Sequence, residues 1–261
     1  MSVKEAEVLK QVEHATHEHE DGILGEQFET MEQQNNAYLI GMWAFIVQEV
    51  LFFGAIFAAY AVYRFKFVEE FTIAHHELSV FFGTVNTFAL LLSSYTMARA
   101  VRAAMKNQHA RQIRYLLFTF ILAGVFMVNK YFEYSAKFEH HLFPNAGYDA
   151  HKVVKNAEKD GYLKVLPNGN YQIRTGEVSP EDFEHRTRLF FGFYFVMTGL
   201  HGLHVLIGMI IIAGLIVRAY IDQVKKKAVA DFMPVEMTGL YWHLVDIVWI
   251  FLFPLLYLIG R

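Results

Sequence analysis

Long apolar segments separated by short polar ones dominate this chain, and their lengths predict its fold. Five segments of mostly apolar residues lie at about 38–63, 78–98, 115–136, 189–217 and 238–260. At about 1.5 Å per residue, each is long enough as an α-helix to cross a hydrocarbon core of roughly 30 Å. The pattern therefore predicts an all-α, polytopic membrane protein with five transmembrane helices in a bundle. A soluble helical bundle is the alternative.

The composition favours the membrane protein and argues against several other classes. Hydrophobic residues make up 54% of the 261 residues and aromatic residues 16%, whereas charged residues make up only 19%. An ordinary soluble domain is less apolar than this. The chain has no cysteine, which excludes thiolate zinc sites, iron–sulfur clusters and disulfides. Its net charge of −3 gives no basic patch for nucleic acid, so we expect no nucleic-acid partner.

The polar segments between the spans predict the topology. The short loops after the second and fourth spans are rich in Lys and Arg, and the positive-inside rule places such loops in the cytoplasm. We therefore expect a cytoplasmic N-terminus and an extracytoplasmic C-terminus. The chain divides into a polar cytoplasmic tail (1–37), transmembrane helices one to three (38–136), an extracytoplasmic insert (137–188) and transmembrane helices four and five (189–261).

The tail and the insert carry signals of their own. In the tail, His14, His17 and His19 alternate with acidic residues, which indicates a solvated segment or a weak divalent-metal site. In the insert, the segment from Val165 to Ile173 contains a Pro-Asn-Gly turn and predicts a small hairpin. Ser179-Pro180 followed by two acids predicts the start of a helix. We interpret the insert as a docking surface or clamp.

Polar and ionisable side chains inside the predicted spans are costly at membrane depth unless they are paired. His243 and Asp246 lie three residues apart in the last span and so project from one helix face. Such a pair is either a site or a polar contact that holds this helix to its neighbours. Lys130 and Glu133 have the same spacing, and we expect an ion pair at the membrane interface with the lysine extended towards water. Glu49 lies near the centre of the first span, where it either forms a contact between helices or supports lipid placement and proton handling.

Two motifs in the last two spans resemble a known family. The segment Tyr-Trp-His-Leu-Val-Asp at 241–246 is similar to the last helix of subunit III of the haem–copper oxidases, which include cytochrome c oxidases and quinol oxidases. The segment Gly-Leu-His-Gly-Leu-His at 199–204 is similar to that family's Gly-x-His-Gly-x-His helix and supplies His201 and His204. Shorter matches at Glu49, Asn86-Thr87, 130–134 and Glu236 extend the resemblance to all five spans.

The resemblance implies a non-catalytic subunit III of a proton-pumping respiratory terminal oxidase that reduces oxygen, in the short five-helix form of bacterial cell (inner) membranes. The chain would belong to a cytochrome c oxidase without carrying a redox centre, a catalytic residue or a metal itself. The partners implied are the catalytic subunit I with its haem and copper, subunit II and bound phospholipid. The roles implied are lipid binding and support of proton uptake and stability. The candidate lipid or subunit contacts are Glu49, Asn86, Lys130, Glu133, His201, His204, Glu236, Trp242, His243 and Asp246.

Other functions remain open from the residues. Within the same family, the chain could serve a quinol oxidase or accompany a nitric oxide reductase. A haem b protein with two histidine ligands would use His201, His204 or His243, but we expect these residues at different membrane depths. A proton or ion carrier could be built on Glu49 and Asp246, although no inverted repeat supports it.

Overall fold

A computed structural model describes residues 27–145, 147–225 and 232–258 of the chain. The elements in these ranges are α1 (Met31–Lys66), α2 (Val68–His75), α3 (Val80–Met105), α4 (His109–Glu139), α5 (His151–Lys159), β1 (Lys164–Val165), β2 (Tyr171–Ile173), β3 (Gly176–Val178), α6 (Pro180–Val224), α7 (Met233–Phe253) and a π-helical turn (Pro254–Leu258). The helices α1, α3, α4, α6 and α7 are long and apolar enough to cross a membrane. The predicted multi-pass bundle of five helices is therefore confirmed. The histidine-rich segment of the tail lies outside the described residues.

Several spanning helices extend beyond the apolar segments that predict them, because polar residues continue the helix at their ends. Helix α1 begins at Met31, inside the predicted tail, where the Thr30 hydroxyl accepts a hydrogen bond from the backbone N–H of Gln33 at 3.2 Å. Helix α6 begins at Pro180, inside the predicted insert, after Ser179 caps it in the same way. The predicted helix start is confirmed.

Helix α7 lies at the centre of the bundle. It packs against α3, α6 and α1, while α3 and α4 form an antiparallel hairpin and α4 also packs against α6. In the most apolar window of α7, 56% of the residues are buried, against 17% for α1. Helix α1 accordingly exposes large apolar side chains such as Ile40, Trp43 and Leu51. Such a surface suits contact with lipid or with another membrane subunit.

The insert folds at the end of the bundle where α1 connects to α3. Its three strands form an antiparallel sheet in the order β1-β2-β3, so the hairpin predicted between Val165 and Ile173 is confirmed, with a third strand added. The insert is joined to α2 by a hydrogen bond from the Thr175 N–H to the Glu69 carboxylate at 2.9 Å. Arg186, in the first turns of α6, forms an ion pair with Glu70 of α2 at 2.6 Å. These contacts fix the connection between α1 and α3 against the insert.

Close approach of α6 to α7 depends on a glycine. A Cβ atom at Gly208 would lie 2.7 Å from the ring of Trp242, which is fully buried. Gly214, farther along the same helix, has no atom within 4 Å of the equivalent position. The two glycines therefore form a matched pair, one required by packing and one not.

We expect Gly208→Ala to destabilise the protein, because the added methyl group forces the Trp242 ring out of its packed position. Overpacking of this kind costs about 1–3 kcal/mol. Gly214→Ala should be neutral or stabilising by up to about 1 kcal/mol, since alanine favours a helix and meets no neighbour there. Thermal unfolding of both variants in mild detergent measures the difference. Equal midpoints would show that the contact between Gly208 and Trp242 does not constrain the bundle.

Candidate functional site

The candidate residues from the sequence do not form one site but three polar clusters in different interfaces of the bundle. The first joins α7 to α3, the second lies between α4, α6 and the C-terminal turn, and the third joins α1 to α6. Glu236 lies apart from these groups in the first turn of α7, with a half-buried side chain.

The first cluster attaches α7 to two serines of α3. The indole N–H of Trp242 donates a hydrogen bond to the Ser93 hydroxyl at 3.0 Å. The Nδ1 atom of His243 lies 2.7 Å from the Ser94 hydroxyl, which also interacts with the carboxyl group of Asp246. His243 and Asp246 therefore face the same helix, as their spacing predicts. The cluster is an interhelical contact of a kind that holds membrane helices in register.

The second cluster is a buried ion pair closed by a tyrosine. The Lys130 ammonium lies 2.9 Å from Oε2 of Glu133 and donates a hydrogen bond to the Tyr257 hydroxyl at 2.7 Å. The Tyr257 hydroxyl in turn donates to Oε1 of Glu133 at 2.7 Å. Because each of the three groups contacts the other two, the triad satisfies charge and hydrogen bonding together.

Aromatic rings complete the surroundings of Lys130. Its ammonium lies 4.8 Å from the ring centroid of Trp249, 5.2 Å from that of Tyr257 and 5.5 Å from that of Tyr194. The side chain is only 7% exposed. The predicted ion pair with Glu133 is confirmed, but the expected extension of the lysine towards water is not. The ammonium points into the bundle instead, since a carboxylate and ring faces replace water as its partners.

His201 lies beside this triad and is fully buried. Its ring packs against Phe126 of α4 and Trp249 of α7, with centroid distances of 5.4 and 5.2 Å. Among the described residues, neither ring nitrogen has a hydrogen-bond partner. His201 therefore contributes to the core mainly through the faces of its ring.

The third cluster pairs Glu49 of α1 with His204 of α6. The Nδ1 atom of His204 lies 2.8 Å from the backbone carbonyl of Leu200, which can only accept, so this nitrogen carries a hydrogen. The Nε2 atom then faces Oε2 of Glu49 at 3.2 Å, at an angle outside that of a good hydrogen bond. The pair is a polar contact that joins α1 to α6.

The spacing of His201 and His204 suggests one helix face, but in the structure the two side chains contact different helices. His201 faces α4 and α7, whereas His204 faces α1, because residues three apart point about 60° away from each other around the axis. His243 contacts a third helix, α3. These rings lie in three different interfaces, an arrangement that does not suit a haem held between two histidines.

Asn86 completes the set of buried candidates. It is fully buried in α3, and its side-chain carbonyl accepts a hydrogen bond from the Asn129 amide of α4 at 3.0 Å. Sequence reasoning missed several partners, of which Tyr257, Ser94 and Tyr241 are the most important. Tyr241 donates from its hydroxyl to the backbone carbonyl of His204 at 2.8 Å. A tyrosine or serine in an apolar segment does not indicate which distant residue it contacts. The one available signal is a charged residue in another span that needs a polar partner.

An open apolar groove lies next to the third cluster, between α1 and α6. Its volume is about 460 Å³, and no ionisable side chain lines it. The lining residues are Phe52, Ala55, Ile56, Ala59, Leu189, Gly192, Phe193 and Val196. A groove of this character can hold a hydrocarbon chain.

Comparison with known proteins agrees with the motifs. A family model described as cytochrome c oxidase subunit III matches residues 173–261. The chain is 28% identical to cytochrome c oxidase subunit 3 of Thermostichus vulcanus, over 85% of this chain and 88% of that protein. It is 28% identical to haem–copper oxidase subunit I+III of Aeropyrum pernix, over 84% of this chain and 22% of that protein. It is 25% identical to probable quinol oxidase subunit 3 of Staphylococcus saprophyticus, over 87% of this chain and 91% of that protein.

We expect removal of one member of the buried ion pair to be far more harmful than removal of both. Lys130→Met leaves Glu133 as a buried charge without its cation, and Glu133→Gln leaves the ammonium without its anion. Each change should cost about 3–5 kcal/mol. The double variant Lys130→Met/Glu133→Gln should recover a large part of this loss. Thermal unfolding of the purified proteins measures it, and a double variant as unstable as the sum of the single ones would contradict direct coupling.

Proposed function

We propose, from the premise that this chain belongs to the subunit III family of haem–copper oxidases, that it is the non-catalytic third subunit of a proton-pumping cytochrome c oxidase. The observation that carries the proposal is that the buried candidate side chains contact other residues of this chain, as in the pair of Glu49 with His204 and the contacts of Trp242 and His243 with serines of α3. They hold a bundle together and leave the redox chemistry to other subunits. Haem and copper would then lie in the partner subunits.

The partners follow from the same premise. The name of the Aeropyrum pernix relative joins subunits I and III in one protein, which supports direct contact of this chain with a catalytic subunit I. The exposed apolar face of α1, which includes Ile40, Trp43 and Leu51, is suited to contact of this type within a membrane. We include subunit II as a further partner. The second candidate is the third subunit of a quinol oxidase, which the similarity to the Staphylococcus saprophyticus protein supports.

The location we propose is a bacterial cell inner membrane, with the N-terminus in the cytoplasm and the C-terminus outside. The Lys- and Arg-rich turn between α3 and α4 supports this orientation by the positive-inside rule. The contacts of the insert with α2 support it further, because they put the connections after α1 and α4 at one end of the bundle. That end would be extracytoplasmic.

Lipid binding and support of proton uptake are the roles we assign to the region around α1 and α6. The apolar groove between these helices can accept an acyl chain of a phospholipid. The neighbouring contact between Glu49 and His204 places two ionisable groups together within the bundle, which supports a role beside proton uptake by the catalytic subunit. Neither role requires a metal or a redox group in this chain.

Purification of the tagged chain in mild detergent tests the assignment. We expect it to bring haem-containing subunits with it, so the complex should give a reduced-minus-oxidised haem spectrum. After the chain is stripped from its partners, the isolated chain should give none. The electron-donor subunit that co-purifies distinguishes a cytochrome c oxidase from a quinol oxidase. Haem retained by the isolated chain would overturn the proposal, as would a complex without haem.

We expect Gly192→Leu to lower the amount of phospholipid that co-purifies with the protein. A Cβ atom at Gly192 meets no neighbour within 4 Å, so the new side chain fills the groove instead of displacing the bundle. Gly214→Leu is the matched control, because that glycine is equally free of neighbours on the same helix but does not line the groove. Mass spectrometry of the extracted lipid measures the effect. The same lipid content in both variants would exclude the groove as a lipid site.

A further inference from the structure

A cationic cavity lies where α3 turns into α4, and none of its lining residues belongs to the clusters described above. Its volume is about 300 Å³. It is lined by Arg99, Arg102, Ala103, Lys106, Gln108, Arg111 and Tyr115. Four of these seven residues are cationic and none is acidic. A cavity walled by one sign of charge concentrates ions of the opposite sign.

The four cations have no carboxylate partner within the part of the chain that the structure describes. Each ion pair found there involves other residues. Helix α4, which begins at this turn, has no acidic residue in its first turn that could offset the positive charge. No carboxylate of the described residues therefore offsets the mutual repulsion of these groups.

Two of the arginines are held in place by neutral hydrogen-bond acceptors. Arg99 donates to the Tyr115 hydroxyl at 3.1 Å, and its guanidinium lies 5.3 Å from the centre of the same ring. Arg111 donates to the side-chain carbonyl of Gln108 at 2.8 Å. A guanidinium has five N–H donors, so both keep donors available after these bonds. These neutral partners hold the two guanidinium groups on the cavity wall without reducing their charge.

An exposed apolar stripe continues from the cavity along α3 towards the middle of the span. Tyr95, Leu92 and Phe88 lie four, seven and eleven residues before Arg99, so they share its helix face. Their side chains are 58%, 53% and 70% exposed. Cationic groups at the end of a span and apolar groups below them match the head and the chains of a phospholipid.

We propose that this cavity binds a phosphate group, with the guanidinium groups of Arg99 and Arg111 as its principal donors. The planar fork of arginine fits phosphate oxygens through two parallel hydrogen bonds. Basic pockets at the ends of membrane spans are suited to anionic lipid head groups. The phosphate can come from an anionic phospholipid or from solution. The site stands on its own residues and goes beyond the proposed function, since it lies on α3 and α4 and not in the groove between α1 and α6.

The test uses the full chain with its co-purifying subunits, reconstituted in phosphatidylcholine vesicles with or without phosphatidylglycerol. The phosphatidylglycerol that stays bound after mild detergent extraction is counted by mass spectrometry. Binding of radiolabelled inorganic phosphate is measured in the vesicles that contain phosphatidylcholine alone. The variants are Arg99→Gln and Arg111→Gln. Arg114→Gln is the control, because Arg114 is an exposed arginine one turn along α4 that does not line the cavity.

We expect retention of phosphatidylglycerol to fall on the order of tenfold in Arg99→Gln and Arg111→Gln and to stay unchanged in Arg114→Gln. The same pattern for inorganic phosphate, without retention of phosphatidylglycerol, would support the site with phosphate from solution as its source. Equal loss in all three variants would overturn the proposal in favour of general surface charge. Absence of binding by the unaltered protein would also overturn it. The haem spectrum and the thermal midpoint of each variant show independently that assembly is intact.

Discussion

A buried ammonium ion needs an anion and hydrogen-bond acceptors inside the bundle, and the C-terminal turn supplies one of these acceptors. Lys130 obtains its carboxylate from its own helix, but its hydroxyl partner comes from Tyr257 at the far end of the chain. Leaving either charge unpaired would cost several kcal/mol. The Tyr257 hydroxyl contacts both members of this pair and thereby attaches the C-terminal turn to α4.

The same turn collects hydrogen bonds from two further helices. Pro254 has no N–H to continue the helical pattern, and the backbone widens there into a π-helical turn. The carbonyl groups of Leu255 and Leu256 accept hydrogen bonds from Tyr60 of α1 and His75 of α2 at 3.4 and 2.8 Å. A helix end leaves such carbonyls without partners of their own, so side chains of neighbouring helices satisfy them. The irregular end of α7 thus becomes the point at which α1, α2 and α4 meet.

Apolar surface alone would not define this arrangement in a membrane, where lipid is as favourable a neighbour as another helix. The packing of α7 is instead specified by polar contacts along its length, from Trp242 with Ser93 to Trp249 with Thr87. Glycines such as Gly208 also contribute, because they allow a neighbouring helix to approach closely. The motif at 241–246 lies in this central helix, and most of the motif's residues are buried against neighbouring helices.

Local features of the fold could be predicted from the sequence, because they depend on residues close together in the chain. Span length, the Ser179 cap, the hairpin and the pair of Lys130 with Glu133 are all of this kind. The depth of Lys130 could not be predicted, since it depends on three aromatic rings, none of them closer than 64 positions along the chain. The divergence of His201 and His204 likewise depends on which helices lie on either side of α6.

His201 shows why matching residues need not mean shared chemistry. The motif places a histidine at this position, yet in the described structure its ring nitrogens bind nothing and its faces fill the space between Phe126 and Trp249. Trp249 also covers the Lys130 ammonium, so the imidazole supports the ring that shields the buried charge. A histidine used in this way positions an aromatic neighbour. That use fits a bundle in which polar residues mainly organise the packing of helices.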